Sequence, residues 1–233
     1  AKGVDINEAN EDDSSALMIA ALSGEVACLT YLLQNGASVK QKNKYGSTDL
    51  MHAAMSGMID CLRALLDAKA DKDEKNNNHY TALMSAAEKG SIPCLELLLL
   101  TGANINAVSK DGWSALMCAA ENGNTACLRL LLNLGADKDA KNKYKRTALM
   151  EAAYFGKDDC VKELLLQGSE KNGIDEDGDT TVILAAEKGH VECLKLFLHY
   201  GADKDVVNKN RWTALMIAAF YGKKEYIKVL LDA

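Results

Sequence analysis

Proline is all but missing, one in 233 residues, and no apolar run approaches the roughly 18 residues that cross a bilayer. A proline-rich linker and a membrane-spanning helix are thereby excluded, and 17 glycines without a three-residue period exclude collagen. Basic charge is not in surplus either: 27 Lys and Arg face 33 Asp and Glu, for a net charge of −6 and a pI near 5.3. Such a balance argues against a duplex nucleic-acid binder, which neutralises phosphates with a basic face, and against attraction to anionic membranes. Residues 1–30 lack the basic start, apolar core and small-residue cleavage site of an export signal. What is present, 48% apolar and 26% charged residues, is the composition of a folded chain with a buried core.

That chain is a tandem repeat. Ser or Thr stands ahead of an apolar, mostly Leu-Met pair at Ser15, Thr48, Thr81, Ser114, Thr147, Thr180 and Thr213, spaced by 33 residues without insertion. Gly follows nine residues after each, and an Ala pair recurs in every unit from Ala20-Ala21 to Ala218-Ala219. Each unit reads as two short antiparallel helices, the Ser or Thr capping the first and the Gly supplying the left-handed residue that ends it. The second helix is more apolar, as in Cys94–Leu100, and usually stops at another Gly: Gly36, Gly102, Gly135, Gly168 or Gly201, with Lys69 interrupting the series. A polar stretch of about a dozen residues leads to the next cap, too short and regular for a domain linker. Helices of two or three turns cannot stand alone, so their apolar faces must be buried by stacking on neighbouring units, and the small Ala pairs permit close approach.

The order Thr-Ala-Leu-Met, Ala-Ala, Gly, Leu-Leu and Gly-Ala-Asp at this period resembles the ankyrin repeat over essentially the whole chain. The resemblance implies an all-α ankyrin-repeat solenoid of paired antiparallel helices with β-hairpin-like finger loops, the first helices lining a concave side and the second a convex back. Residues 1–233 are expected to form a single array, with 1–10 the remnant of an upstream repeat and repeats at about 11–43, 44–76, 77–109, 110–142, 143–175, 176–208 and 209–233. Both ends cut the period mid-unit, as expected of a fragment of a longer array. The family's Thr-Pro-Leu-His is altered: the Pro position holds Ala16, Asp49, Ala82, Ala115, Ala148, Thr181 and Ala214, and the His position holds Met or Ile. Loss of Pro removes pre-organisation of the first turn.

Six of the seven cysteines, Cys28, Cys61, Cys94, Cys127, Cys160 and Cys193, share one register, with Tyr226 taking the place in the seventh unit. Equivalent helices pack about 8–10 Å apart, beyond the roughly 7 Å Cα limit of a disulfide. The ladder is expected to be small apolar packing in the convex core, with a redox or metal role as the alternative. Cys118, on a first helix, is expected to pack as well. Free thiols point to a reducing compartment, hence a cytoplasmic location, with a nuclear or cytoskeleton-associated one as alternatives. There is no Cys-X-X-Cys, and His52, His79, His190 and His199 are scattered, so no metal and no cofactor is expected. Gly156-Lys157 and Gly222-Lys223 lack the upstream glycine of a phosphate loop, and no nucleophile is paired with a base. The expectation is a chain without enzyme activity.

Positions that vary between units are the ones open to a partner. The residue before the cap reads Ser14, Ser47, Tyr80, Trp113, Arg146, Asp179 and Trp212, and three before it reads Asp12, Tyr45, Asn78, Asp111, Tyr144, Asp177 and Asn210. After the Ala pair come Tyr154-Phe155 in unit five and Phe220-Tyr221 in unit seven. Aromatic and Arg side chains are common interface anchors. The candidate partner-binding residues are therefore Tyr45, Tyr80, Trp113, Tyr144, Arg146, Tyr154, Phe155, Asp177, Asp179, Trp212, Phe220 and Tyr221, and the bland alternative is that each covers a neighbouring finger. Unit six is acidic and its finger follows a basic one, so mutual charge satisfaction competes with a bipolar groove. Lys72, Lys138 and Lys204 read as a solvated edge.

The resemblance implies a non-catalytic protein–protein interaction module, with a protein or peptide partner on the concave and finger surface. The alternative is a structural or cytoskeletal scaffold element, or a targeting domain of a larger protein. No nucleic acid and no membrane insertion are expected, and the isolated chain is expected to be a monomer.

Overall fold

The computed structural model describes residues 4–233, and fourteen helices lie among them. In chain order they pair as α1 (Ala16–Ser23) with α2 (Val26–Gln34), α3 (Asp49–Ser56) with α4 (Ile59–Asp67), and α5 (Ala82–Lys89) with α6 (Ile92–Leu100). There follow α7 (Ala115–Asn122) with α8 (Thr125–Asn133), α9 (Ala148–Tyr154) with α10 (Asp158–Leu166), α11 (Thr181–Lys188) with α12 (Val191–His199), and α13 (Ala214–Phe220) with α14 (Lys224–Asp232). The chain divides into two compact units between Asp111 and Gly112. In the first, α1, α3 and α5 pack as one row and α2, α4 and α6 as another. In the second, the rows are α7, α9, α11, α13 and α8, α10, α12, α14.

The recurring Ser or Thr starts every first helix. Ser15 Oγ accepts the Met18 N–H at 3.3 Å, and the other six caps each accept the N–H three residues on. Each such cap is worth about 1 kcal/mol. Five first helices end on a left-handed Gly, with φ between 75° and 82°, while α9 and α13 end on Phe155 and Tyr221 with the left-handed Gly one residue later. After α4, Lys69 takes the left-handed conformation, φ 66°, that glycine takes after the other second helices.

Within each row the Ala pairs form the seam. Those of α3, α5, α7, α9 and α11 have no exposed surface, so any larger side chain would force the first helices apart. The Leu-Met positions are at most 4% exposed in α1 to α11, but Leu215 and Met216 of α13 are 38% and 52% exposed. At the other end α1 presents Ala16 and Ile19, the latter 49% exposed, to solvent.

The cysteine ladder is buried in five of its six places, and Cys118 is buried too. Two of the ladder thiols meet the first turn of the preceding second helix: Cys160 Sγ lies 3.3 Å from Thr125 Oγ1, and Cys193 donates to Asp158 at 2.9 Å. Burial raises the thiols of Cys61, Cys94, Cys160 and Cys193, and takes Cys127 up to about 11, which suppresses the thiolate. Cys28 departs from the expected core position. It is exposed, because no second helix lies on that side of α2 among the described residues.

Candidate partner-binding surface

The fingers between repeats contain no strands among the described residues, only one isolated bridge between Ala9 and Ser15. A side chain holds them instead. Five residues before the cap stands Asn10, Asn43, Asn76, Asn142, Asp175 or Asn208, whose Oδ1 accepts two backbone N–H groups, those three and one before the cap. The loop closes on a left-handed residue, Gly or Asp13, His79, Lys145 or Arg211. Consecutive fingers are then stitched by one backbone bond, such as Glu176 N–H to Tyr144 O at 2.9 Å and Lys209 N–H to Asp177 O at 3.0 Å. This Asn position went unread in the sequence, although its recurrence at the repeat spacing was there to find.

Asn gives way at this position twice, to Ser109 in the fourth unit and to Asp175 in the sixth, and Asp175 decides what Arg146 does. Where Asn142 and Asn208 spend their amide N–H on Glu151 (3.1 Å) and Asp179 (2.8 Å), Asp175 offers a second carboxylate oxygen. Arg146 Nε donates to that oxygen at 3.0 Å, and Asp175 is 2% exposed. The Arg146 guanidinium also sits 5.2 Å from the Tyr154 ring centre. Glu151, 3% exposed, lies in the same pocket of charge; burial pushes its carboxyl up to about 6 despite the Arg146 charge and the Asn142 amide. Burial likewise raises Asp179. Arg146 and Asp179 thus each take part in a hydrogen bond between neighbouring fingers.

The aromatic candidates divide into two groups in the second unit. Tyr154 meets Phe155 edge-on with ring centres 5.1 Å apart, carries Lys188 Nζ at 4.6 Å over its face, and has His190 Nε2 3.1 Å from its carbonyl. Lys188 is itself paired with Glu187 at 2.8 Å. Trp212 packs edge-on against Phe220 at 5.5 Å, and Phe220 against Tyr221 at 5.1 Å. Phe155, Phe220 and Tyr221 are 41%, 69% and 48% exposed, Tyr144 is exposed beside Lys143, Asp177 is exposed, and Trp113 is half-buried. Tyr45, exposed beneath Lys44, and half-buried Tyr80 lie in the first unit. Lys204, expected at a solvated edge, donates to the Leu230 carbonyl at 3.0 Å and so ties the seventh finger to α14.

The ankyrin-repeat family model (three copies) matches residues 1–76, 17–109, 50–142, 83–173 and 149–233. The chain belongs to the ankyrin repeat family. Among solved structures it is similar to the human ASB11 ankyrin repeat domain, with a TM-score of 0.85 and 27% identity over 93% of this chain and 97% of that one. A comparison with curated protein sequences finds no match. The all-α ankyrin-repeat fold expected from the 33-residue period is the fold observed. Ankyrin repeats are generally protein–protein interaction modules and are typically non-catalytic. Among the described residues no group of three metal-ligating side chains occurs, and no helix is long and apolar enough to cross a membrane.

Proposed function

We propose that this ankyrin-repeat chain binds a protein or peptide partner through the fingers and first helices of its second unit. The observation that carries the reading is the edge-to-face series Trp212, Phe220 and Tyr221, drawn from one finger and one first helix, in which Phe220 and Tyr221 are exposed and Trp212 is half-buried. Large rigid aromatics left in water at neighbouring places offer burial at low entropy cost, which is what interface anchors do. Tyr154, Phe155, Tyr144 and Asp177 extend the surface. Arg146 and Asp179 hold the fingers that present it. Unpaired thiols fit a reducing, cytoplasmic setting.

The test is affinity capture from a native lysate with the chain and a Phe155→Ala, Phe220→Ala, Tyr221→Ala variant, Arg146 being kept because its loss would strand buried Asp175. Both proteins are first matched by circular dichroism. A specific protein retained by the parent and lost by the variant supports the reading. Equal capture by both places binding elsewhere and overturns it.

A further inference from the structure

We infer that Asn172, in the loop from α10 to the sixth finger, is a site of spontaneous covalent modification: its carboxamide closes on the Gly173 nitrogen and becomes a carboxylate with loss of ammonia. This goes beyond the partner surface proposed above and does not use it. The reaction needs an unhindered backbone N–H just after an asparagine, which glycine supplies because it has no Cβ. The chain offers three such pairs, Asn35-Gly36, Asn122-Gly123 and Asn172-Gly173, and the fold separates them. Asn35 caps the end of α2 and Asn122 is the last residue of α7. Gly36 gives its N–H to Leu33 O at 3.1 Å and Gly123 gives its N–H to Ala120 O at 3.3 Å, while the amides of Asn35 and Asn122 donate back to Tyr31 O at 2.8 Å and Cys118 O at 2.9 Å. At both helix ends the attacking nitrogen and the group under attack are therefore tied down.

Asn172 carries no such restraint. It is exposed, Gly173 lies outside the left-handed region, and neither the Gly173 N–H nor Asn172 Nδ2 has a hydrogen-bond partner among the described residues. Asn172 Oδ1 accepts the Asp203 N–H at 3.0 Å, which draws electron density from the carboxamide carbon and steadies the oxygen as negative charge develops on it. Hydroxide from solvent takes the Gly173 amide proton, the nitrogen bonds to Asn172 Cγ, and the Cγ–Nδ2 bond breaks as ammonia leaves with a proton from water. Water then opens the cyclic imide. Attack at Cγ breaks the new N–Cγ bond and leaves an aspartate; attack at the main-chain carbonyl carbon breaks the original peptide bond and leaves an isoaspartyl linkage running through the side chain. The array receives the two products differently. Asp73 and Asp139 occupy the same register, and their Oδ1 atoms accept the Asn104 and Glu170 N–H groups at 2.8 and 2.9 Å, so an aspartate at this place keeps the bond to Asp203. The isoaspartyl product lengthens the main chain by a methylene and draws the accepting carbonyl into it, so this loop loses the bond its equivalents hold.

The intact chain, folded and unfolded in urea, is incubated at mildly alkaline pH, and mass-spectrometric fragment mapping locates each exchange of NH2 for OH. Unfolded, the three pairs are alike and should react at similar rates. Folded, Asn172 should keep most of that rate, while Asn35 and Asn122, which must first break their helix-end bonds, should lag by at least about tenfold. Gly173→Ala should slow conversion several-fold yet leave the chain folded, because an added Cβ meets only Glu170 Cγ and Met150 Cε at an ordinary 3.4 Å. Asn172→Asp should melt with the parent. Conversion of Asn172 as slow as that of the other two overturns the inference, as do three equal rates in the folded chain or an unchanged rate in Gly173→Ala. A marked loss of stability in Asn172→Asp overturns the claim that this register accepts the product. Partner capture enters none of these readouts, so the two readings fail separately.

Discussion

Asp49 shows how one residue can work against its repeat. It occupies the first helical position, where five of the other six units have Ala, and it is fully buried with neither carboxylate oxygen hydrogen-bonded. Burial pushes its carboxyl up to about 7, whereas in the unfolded chain an Asp titrates near about 3.9. Below about pH 4 both states hold the proton, and the site imposes no charge penalty. Between about pH 4 and 7 only the unfolded chain releases it, so stability falls as pH rises, by about 1.4 kcal/mol per unit, and the loss is complete above 7. Asp49→Ala should raise the melting temperature at pH 8, leave it nearly unchanged at pH 4, and flatten the profile between. A parallel profile for the variant would show that Asp49 ionises freely in the fold. Lys69 makes a smaller demand: its left-handed backbone suits glycine, and Lys69→Gly should stabilise by about 0.5–1 kcal/mol in chemical denaturation. No gain would mean that the Lys side chain contributes as much as the strain removes.

At the scale of helices and fingers, the seam of alanines should be the least tolerant place. Ala120 has no exposed surface where α7 packs on α9. Ala120→Asp should destabilise the second unit by several kcal/mol, since an unpaired carboxylate there has neither room nor solvent. An unchanged cooperative melt would overturn that packing. The sequence made the helices legible because caps, glycines and alanines act locally and recur at fixed spacing. The fate of Arg146 was not legible, since it depends on Asp175 arriving from the next finger, 29 residues on, with an oxygen where Asn142 and Asn208 have an amide. Exposure of Cys28 was equally hidden, because its register is that of its buried equivalents and only its neighbours differ. Arg146→Ala should therefore lower stability by about 2 kcal/mol, the cost of stranding a buried acceptor, and Asp175→Asn in the same chain should recover much of it. A double variant no more stable than Arg146→Ala would show that the ion pair is not what holds these fingers.

For the molecule as a whole, the aromatic side surface of the second unit is read out by a captured protein rather than by a melting temperature. Every seam is written in the same period, from cap to cap and from finger stitch to finger stitch, so length becomes a counted quantity. Excising residues 148–180 would join Thr147 to Thr181 as cap to first turn and offer the Tyr144 carbonyl to the Lys209 N–H, whose present acceptor, Asp177, goes with the excised block. Excising one residue fewer would displace every downstream cap and seam at once. Tandem duplication can therefore lengthen this kind of chain without inventing a contact, while an ordinary small insertion inside a repeat cannot.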